Sequence, residues 1–351
     1  MNSNFLAIIS VVFLFSKIYC TRTITQRSNY VIYCDGNCGK DAAPKTLPGV
    51  VLMGGGTDTD EAFLWQLSRA GGGDFVVLRA SGDDAYNPYI YDLSVSSNNT
   101  LNTMTTVLMK NRDASAETEV LDIIRSAEAI FMAGGDQSDY LNYWVGTEVQ
   151  TILQSKLSTV TIGGTSAGCM VLGNWVYSAE KGSVTSDEAL NNPYHRYITI
   201  APAFLKIPYL DTVLTDTHFV TRDRMGRMLT FDARILADSK STAAPVMIAR
   251  SVGIDEHTAL LLDVATGDVA VVGVNTAYVC IADHQPTTCK SATPLTFRDL
   301  SCARLSAAQK DTYSFATWSG KGAVTYTSSI VSGKFTNLPY GPVSQSDSES
   351  A

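Results

Sequence analysis

Four short apolar runs, each ending in a glycine-rich turn, constrain the fold of this chain most. Val50-Val51-Leu52-Met53 leads into Gly54-Gly55-Gly56, and Phe75-Val76-Val77-Leu78 into Ala80-Ser81-Gly82. Ala129-Ile130-Phe131-Met132 leads into Gly134-Gly135, and Val160-Thr161-Ile162 into Gly163-Gly164. A strand that is apolar at every position has no face left for water, so such runs read as parallel strands covered on both sides. Helix-like stretches at 118–127 and 140–156 lie between them. The alternation predicts an α/β fold built on a doubly wound, mostly parallel sheet. Ligands of such sheets gather beyond the carboxyl ends of the strands, which is where these glycine turns fall. Further on, apolar spacing at 225–236 is helical. Short strand-like runs follow at 247–254, 259–262, 269–272 and 278–281, read as a β-rich C-terminal extension continuing the sheet antiparallel. With no linker in view, 49–340 reads as one domain, 21–48 as irregular, and the Ser-rich acidic end, 341–351, as a disordered tail.

Composition narrows the function classes. Hydrophobic residues make up 45% of the 351 and charged residues 17%, which excludes global disorder. With 26 Lys and Arg against 34 Asp and Glu, and no basic run, the chain lacks the phosphate-binding footprint of a nucleic-acid partner. Residues 5–15 form an apolar run too short for a bilayer, which needs about 20 residues. The run fits a signal peptide over 1–20, cleaved near Cys20. The expectation is a secreted chain with no membrane span once processed. A buried N-terminal strand and a signal anchor are the alternatives. Six cysteines then remain, Cys34, Cys38, Cys169, Cys280, Cys289 and Cys302, and they allow 15 pairings. Cys34 with Cys38 and Cys280 with Cys289 are the closest in sequence. No second cysteine or histidine pair completes a zinc site at Cys34 and Cys38, so no metal is expected. Asn98-Asn99-Thr100 is a glycosylation sequon.

The chemistry centres on Gly164-Thr165-Ser166-Ala167-Gly168, a GxSxG placed after a predicted strand and before the apolar stretch at 169–172. That is the setting of a nucleophile elbow, with Ser166 Oγ at the tip and the Ala167 amide offered to a developing oxyanion. A glycine-rich phosphate or packing turn is the alternative. Serine needs a base. Of His195, His218, His257 and His284, His218 follows the strand-like Val213-Leu214, while His195 and His284 read as surface loops and His257 is a reserve. A third group must orient the imidazole. Glu256, at the end of Gly253-Ile254-Asp255-Glu256, is the best placed, with Asp255 in competition. The order Ser, His, Glu differs from the Ser, acid, His order of α/β-hydrolases. Cys169, three positions past the elbow tip, reads as buried core rather than as an amidotransferase-type nucleophile.

These pieces together resemble the cyanophycinases and, more broadly, the serine peptidase family that includes the aspartyl dipeptidase called peptidase E. The matching segments are GGGTD at 54–58, GGDQ at 134–137, GGTSAG at 163–168, DTHFVTRDRMGRM at 216–228 and GIDE at 253–256, spread over most of 49–265. The resemblance implies a sheet like that of the class I glutamine amidotransferases, with Ser166 as nucleophile, His218 as base and Glu256 as orienting acid. In the aspartyl dipeptidase branch the acid lies between Ser and His. Gln137 falls on the glutamine of the family's GGNQ motif, with Asp136 in place of Asn. Asp216 falls on its acid before the His region, and Arg222, Arg224 and Arg227 on its three arginines. Thr217 stands where cyanophycinases usually carry Gln, which removes an amide from the pocket.

The residues themselves point the same way. Guanidinium forks grip carboxylates bidentately, so Arg222, Arg224 and Arg227 suit an aspartyl or β-aspartyl peptide, and Asp216 a cationic part of it. A solvated helix start with salt bridges to Asp223 and Asp232 is the plain alternative. The expected reaction is acyl transfer through Ser166, with the amides of Ala167 and of Gly135 or Asp136 as oxyanion donors and no cofactor. Hydrolysis of α-aspartyl dipeptides, an inactive secreted binding module on the same fold, and a homodimer stay open.

Overall fold

The computed structural model describes residues 22–342. The apolar run at 5–15, Cys20 and residues 343–351 of the tail lie outside it. The first half of the chain forms β1 (Arg22–Gln26), β2 (Tyr30–Gly36), β3 (Gly49–Met53), α1 (Asp60–Ala70), β4 (Asp74–Arg79), α2 (Tyr86–Ser96), β5 (Thr103–Met109), α3 (Thr118–Ser126), β6 (Ala129–Met132), α4 (Gln137–Trp144), α5 (Glu148–Lys156), β7 (Thr161–Thr165) and the one-turn α6 (Ala167–Met170). Then come β8 (Trp175–Tyr177), α7 (Ser186–Asn191), β9 (Ile200–Pro202), β10 (Val213–Asp216), α8 (Met225–Ser239), β11 (Ala249–Ile254), β12 (Thr258–Leu262), β13 (Asp268–Gly273) and β14 (Thr276–Ala282). The last elements are β15 (Thr288–Lys290), β16 (Thr293–Ser306), β17 (Thr312–Ser314), β18 (Ser319–Lys321), β19 (Val324–Val331) and β20 (Lys334–Phe335).

The four apolar runs are β3, β4, β6 and β7, and with β5 they form the parallel centre of one sheet, in the order β5-β4-β6-β7-β3. Antiparallel strands extend it on both sides, β2 and β1 beyond β5 and β12, β13, β17 and β18 beyond β3. Alternate residues of the central strands enter different cores. Val50, Leu52, Val76, Leu78, Ile130 and Met132 pack with α3, α4 and α5. Val51, Met53, Phe75, Val77, Ala129 and Phe131 pack with α1 and α2. Burying such a side chain contributes about 1.5–3 kcal/mol, and here every position of a strand does so. This is the doubly covered α/β arrangement that the runs predict.

Three expectations change. Residues 22–36 are not irregular: they are the antiparallel pair β1 and β2, held on β5. The helical stretch at 140–156 is two helices, parted where Gly146 takes φ +72°. The strands after 246 do not form one appendage. β12 and β13 continue the first sheet, whereas β11 and β14 belong to a second, ordered β20-β19-β16-β14-β11-β10-β8-β9. α7 and α8 pack on that second sheet through Leu190, Met228, Phe231 and Leu236.

The second sheet also settles the cysteines. Cys280 on β14 and Cys302 on β16 are register partners and form a disulfide, so the sequence-adjacent pairing of Cys280 with Cys289 does not occur and Cys289 is free. Cys34 and Cys38 are paired. Asn98 of the sequon is exposed, just past α2.

Candidate active site

The two sheets meet at the carboxyl ends of β7 and β10. Ser166 follows β7 in a turn whose φ of +51° and ψ of −119° ordinary residues avoid. Strain of this kind is what a nucleophile elbow stores. Gly168 cannot carry a side chain, because a Cβ there would meet the Met132 carbonyl oxygen at 2.1 Å. The Ala167 amide opens α6, which runs for a single turn and not through the apolar stretch to 172.

His218 lies two residues past β10, also in the left-handed region at φ +49°. Its amide donates to the Gly54 carbonyl at 2.8 Å, across from the second sheet to the first. Its imidazole spans two partners: Ser166 Oγ lies 2.8 Å from Nε2, and Glu256 Oε1 lies 2.5 Å from Nδ1. With a carboxylate at Nδ1, that nitrogen carries the proton and Nε2 is left to accept from the hydroxyl. Gly55, at φ +93°, forms the wall behind the ring, since a Cβ there would stand 2.4 Å from His218 Cε1. This is the physical need behind the Gly54-Gly55-Gly56 turn.

Glu256 sits in the link that carries the chain from β11 in one sheet to β12 in the other. Asp255 beside it faces away from the imidazole: its Oδ1 accepts the Val220 and Thr221 amides at 3.0 Å and Thr221 Oγ1 at 2.9 Å. Of the two acids, the structure brings Glu256 to His218. Burial lowers the His218 pKa from 6.5; Arg222 and Arg224 lower it further, while Glu256 opposes. The hydrogen bond from His218 holds the Glu256 carboxyl below its usual range. His257 is not among the residues lining the cavity described next, and its amide donates to the Gly55 carbonyl. His195 is half-buried and His284 exposed, each outside the cavity described next. The Cys169 thiol is fully buried and burial raises its pKa, so it is no nucleophile.

A cavity of about 280 Å³ opens at Ser166 and His218, walled by Gly135, Gln137, Tyr177, Thr217, Arg222 and Arg224 among others. Gln137, the first residue of α4, donates its amide to the Tyr177 carbonyl at 3.1 Å. Asp136 caps α4, its Oδ1 accepting the Ser138 amide at 2.9 Å. A Cβ at Gly134, one residue before Gly135, would lie 3.5 Å from Ser166 Cβ, so this turn passes directly beside the hydroxyl. Thr217 is buried, and its Oγ1 has no hydrogen-bond partner.

The charged residues divide differently from expectation. Asp216 is fully buried and closed on Arg227, which donates from Nε at 2.7 Å and from Nη2 at 2.5 Å. Neither group is spare: Asp216 cannot meet a cation on the substrate, and Arg227 spends its fork inside the wall. Breaking such a buried pair costs about 3–5 kcal/mol. Arg224 donates to the Thr217 carbonyl at 2.8 Å. Arg222 keeps its charge in the open, half exposed, with Nε 3.9 Å from Glu256 Oε1. Asp223 and Asp232, the plain alternative partners, take none of the three arginines; Asp223 accepts from Tyr340 and Asp232 from Ser251.

Among the described residues, Asp41, Asp74 and Glu128 bring one carboxylate oxygen each within 4.8 Å of one another. Asp74 opens β4 and Glu128 precedes β6, so this cluster lies at the amino ends of the parallel strands, opposite Ser166. Nothing else there points to an ion. No helix among the described residues is long and apolar enough to cross a membrane.

Residues 75–193 match the family model of peptidase family S51. The chain is 30% identical over 169 residues to a cyanophycinase of Synechococcus elongatus, covering 48% of this chain and 46% of that one. It is 29% identical over 123 residues to a cyanophycinase of Geminocystis herdmanii, covering 34% and 42%. It therefore spans less than half the length of the curated relatives it matches. A peptidase from an acI-B1 Actinobacterium superposes with a TM-score of 0.49 at 16% identity, over 77% of this chain and 97% of its own. Over 75–193 the chain is thus similar to peptidase family S51, and over less than half of its length it is similar to both cyanophycinases.

Proposed function

We propose that the chain is a serine-type hydrolase that cleaves peptide bonds next to aspartyl or β-aspartyl residues through an acyl-enzyme on Ser166. The observation that carries this reading is the continuous line from Ser166 Oγ to His218 at 2.8 Å and on to Glu256 at 2.5 Å. His218 Nε2 takes the hydroxyl proton as Oγ bonds to the substrate carbonyl carbon. The amides of Ala167 and of Gly135 or Asp136 receive the oxyanion, each donor worth about 3–4 kcal/mol. His218 passes its proton to the leaving amine and the C–N bond breaks. Water then attacks the ester, giving its proton to His218, which returns it to Oγ as the acid leaves. Glu256 holds the tautomer and stabilises the imidazolium.

Arg222 and Arg224 line the cavity and supply the positive charge that a substrate carboxylate needs, with Gln137 and Thr217 in the wall. The identity of the relatives as cyanophycinases adds the β-aspartyl preference; Thr217 and the closed Asp216–Arg227 pair disfavour strict cyanophycin specificity. The rest of the reading is a secreted protein, with a signal peptide over 1–20, a glycan on Asn98 and a glutamine amidotransferase-like hydrolytic domain over 49–340, acting alone or as a homodimer. Two disulfides and an exposed sequon are compatible with export.

The test is a screen of the purified mature chain against α- and β-aspartyl dipeptides and cyanophycin, with Ser166→Ala as control. Turnover of an aspartyl substrate is expected, with kcat falling about 10³-fold or more in Ser166→Ala at unchanged melting temperature. Wild-type turnover in that variant removes Ser166 as nucleophile; no turnover or fluorophosphonate labelling of the wild-type chain favours the inactive binding module.

A further inference from the structure

The turn at 217–224 carries the base and two of the three cavity-lining arginines, yet it is not held by its own geometry alone. Its backbone enters the left-handed region at His218 and again at Asp223, each with φ +49°. For residues with a Cβ that conformation costs about 1–2 kcal/mol each. Three backbone bonds close the turn internally, from the Arg222 amide to the His218 carbonyl at 3.0 Å, from the Asp223 amide to the Val220 carbonyl at 3.0 Å and from the Arg224 amide to the Phe219 carbonyl at 2.8 Å.

The remaining restraint comes from outside. Asp255 is 5% exposed and places one carboxylate oxygen on three donors of the turn, the amides of Val220 and Thr221 and the Thr221 hydroxyl. Its neighbour Glu256 holds the imidazole of the same turn. One peptide link thus fixes both the backbone and the ring of His218. At the far end of the turn, the Tyr340 hydroxyl donates to Asp223 Oδ1 at 2.8 Å and accepts the Met225 amide at 3.3 Å. The Tyr340 ring stands edge-on to Phe219, centroids 5.9 Å apart. The segment bearing Tyr340 is itself tied down, with the Tyr326 hydroxyl donating to the Pro339 carbonyl at 3.0 Å. Neither Asp255 nor Tyr340 lines the cavity.

We propose that Asp255 and Tyr340 are positioning residues that hold the His218 turn in its reactive geometry, Asp255 at its head and Tyr340 at its tail. The proposal rests on His218 being the base of the proposed reaction. A base displaced by 1 Å loses about 10²-fold in rate, so freeing the turn at Val220 and Thr221 is expected to show in kcat. The charged groups facing His218 are Glu256, Arg222 and Arg224; all three remain in the variants below, so any change in its titration reports the turn.

The experiment compares Asp255→Ala, Asp255→Asn and Tyr340→Phe in the full mature chain, measuring kcat and KM on the best aspartyl peptide and the His218 imidazole titration by NMR. Asp255→Ala is expected to lower kcat by about 10²-fold with a smaller change in KM, and to move the His218 titration up toward 6.5 as water reaches the ring. Asp255→Asn keeps an acceptor oxygen in the same place and restores most of the rate. Tyr340→Phe keeps the ring and loses the hydroxyl's bonds to Asp223 and to the Met225 amide, an effect of at least about fivefold on kcat. Wild-type kcat and unmoved titration in Asp255→Ala overturn the proposal; if that variant does not fold, the same result in Tyr340→Phe does. The titration needs no substrate. An inactive Ser166→Ala beside a wild-type Asp255→Ala therefore sinks this proposal alone, whereas an active Ser166→Ala sinks the hydrolase reading beneath it.

Discussion

The two edges of the parallel sheet make opposite use of acidic residues. At the amino edge, Asp74 and Glu128 face one another beside a cavity of about 690 Å³ that also takes in Asp41 and the Cys34–Cys38 disulfide. Their oxygens are spent locally: Asp74 accepts from Asn102 at 2.7 Å and Thr103 at 2.8 Å, and Glu128 accepts the Asp74 amide at 2.7 Å. Burial first raises both pKa values; the charge of Asp41 adds to the rise of Asp74, and the charges of Asp74 and Asp41 to that of Glu128. At the carboxyl edge the cavity is less than half that size, about 280 Å³, but its acid faces a base and its base faces a hydroxyl. Size therefore does not mark the chemistry. What differs is the backbone: Ser166 and His218 both sit at positive φ at the carboxyl edge and aim their side chains at each other. The acids of the amino edge are arranged to be satisfied, those of the carboxyl edge to act on a neighbour.

The sharpest way to break this contrast is to remove one acid from each edge. Glu256→Gln leaves the packing in place but cannot stabilise the imidazolium, and kcat on an aspartyl peptide is expected to fall by up to about 10⁴-fold. Combined with Ser166→Ala it adds little, because residues acting as a unit lose their effect together. Glu128→Gln is expected to leave kcat within about twofold, in keeping with changes remote from the reacting groups. A loss of kcat in Glu128→Gln as deep as that in Glu256→Gln would bring the amino edge into the reaction.

The next effect is on stability. A carboxyl whose folded pKa is raised binds its proton more tightly when folded, so its contribution is greatest below the unfolded value, 4.5 for Glu128, and is lost as pH rises through the folded one. Glu128→Gln removes that loss. Denaturant midpoints are expected to decline less between pH 4.5 and neutrality than in the wild-type chain; an unchanged pH slope would mean the cluster carries no such strain.

The smallest effect sharpens the carboxyl edge alone. His218 acts as a base only when neutral, and its pKa is below 6.5, so the acidic limb of kcat/KM is expected below that pH. Arg222→Ala removes a positive neighbour that lowers this pKa, and the limb is expected to move upward by a fraction of a unit. A downward move would contradict the role given to Arg222 beside the imidazole.

Much of this was legible in the chain because it is local. Runs such as Phe75–Leu78 need no partner to declare themselves, since consecutive apolar residues can be satisfied only between two layers. GxSxG after such a run carries its own turn, and the glycines at 54–56 mark a close approach even before the imidazole behind it is seen. The strands at 22–36 escaped because Arg22-Thr23-Ile24-Thr25-Gln26 is polar and mostly exposed; it is a strand only by pairing with β2. Asp255 and Glu256 are adjacent, and no spacing argument tells which turns toward His218. Tyr340 lies 117 residues from Asp223, beyond any local signal.

Sequence alone determined the parallel centre of the sheet, the elbow at Ser166 and the short list of bases and acids, because apolar periodicity and glycine-bearing turns act over a few residues. Tertiary structure decided how the later strands divide between two sheets, which cysteine joins Cys280, and that Asp216 is closed on Arg227 instead of open to a ligand. Those outcomes depend on which distant groups are desolvated together: a buried charge must find its counter-charge and a strand its edge, and only the folded chain fixes which ones are within reach.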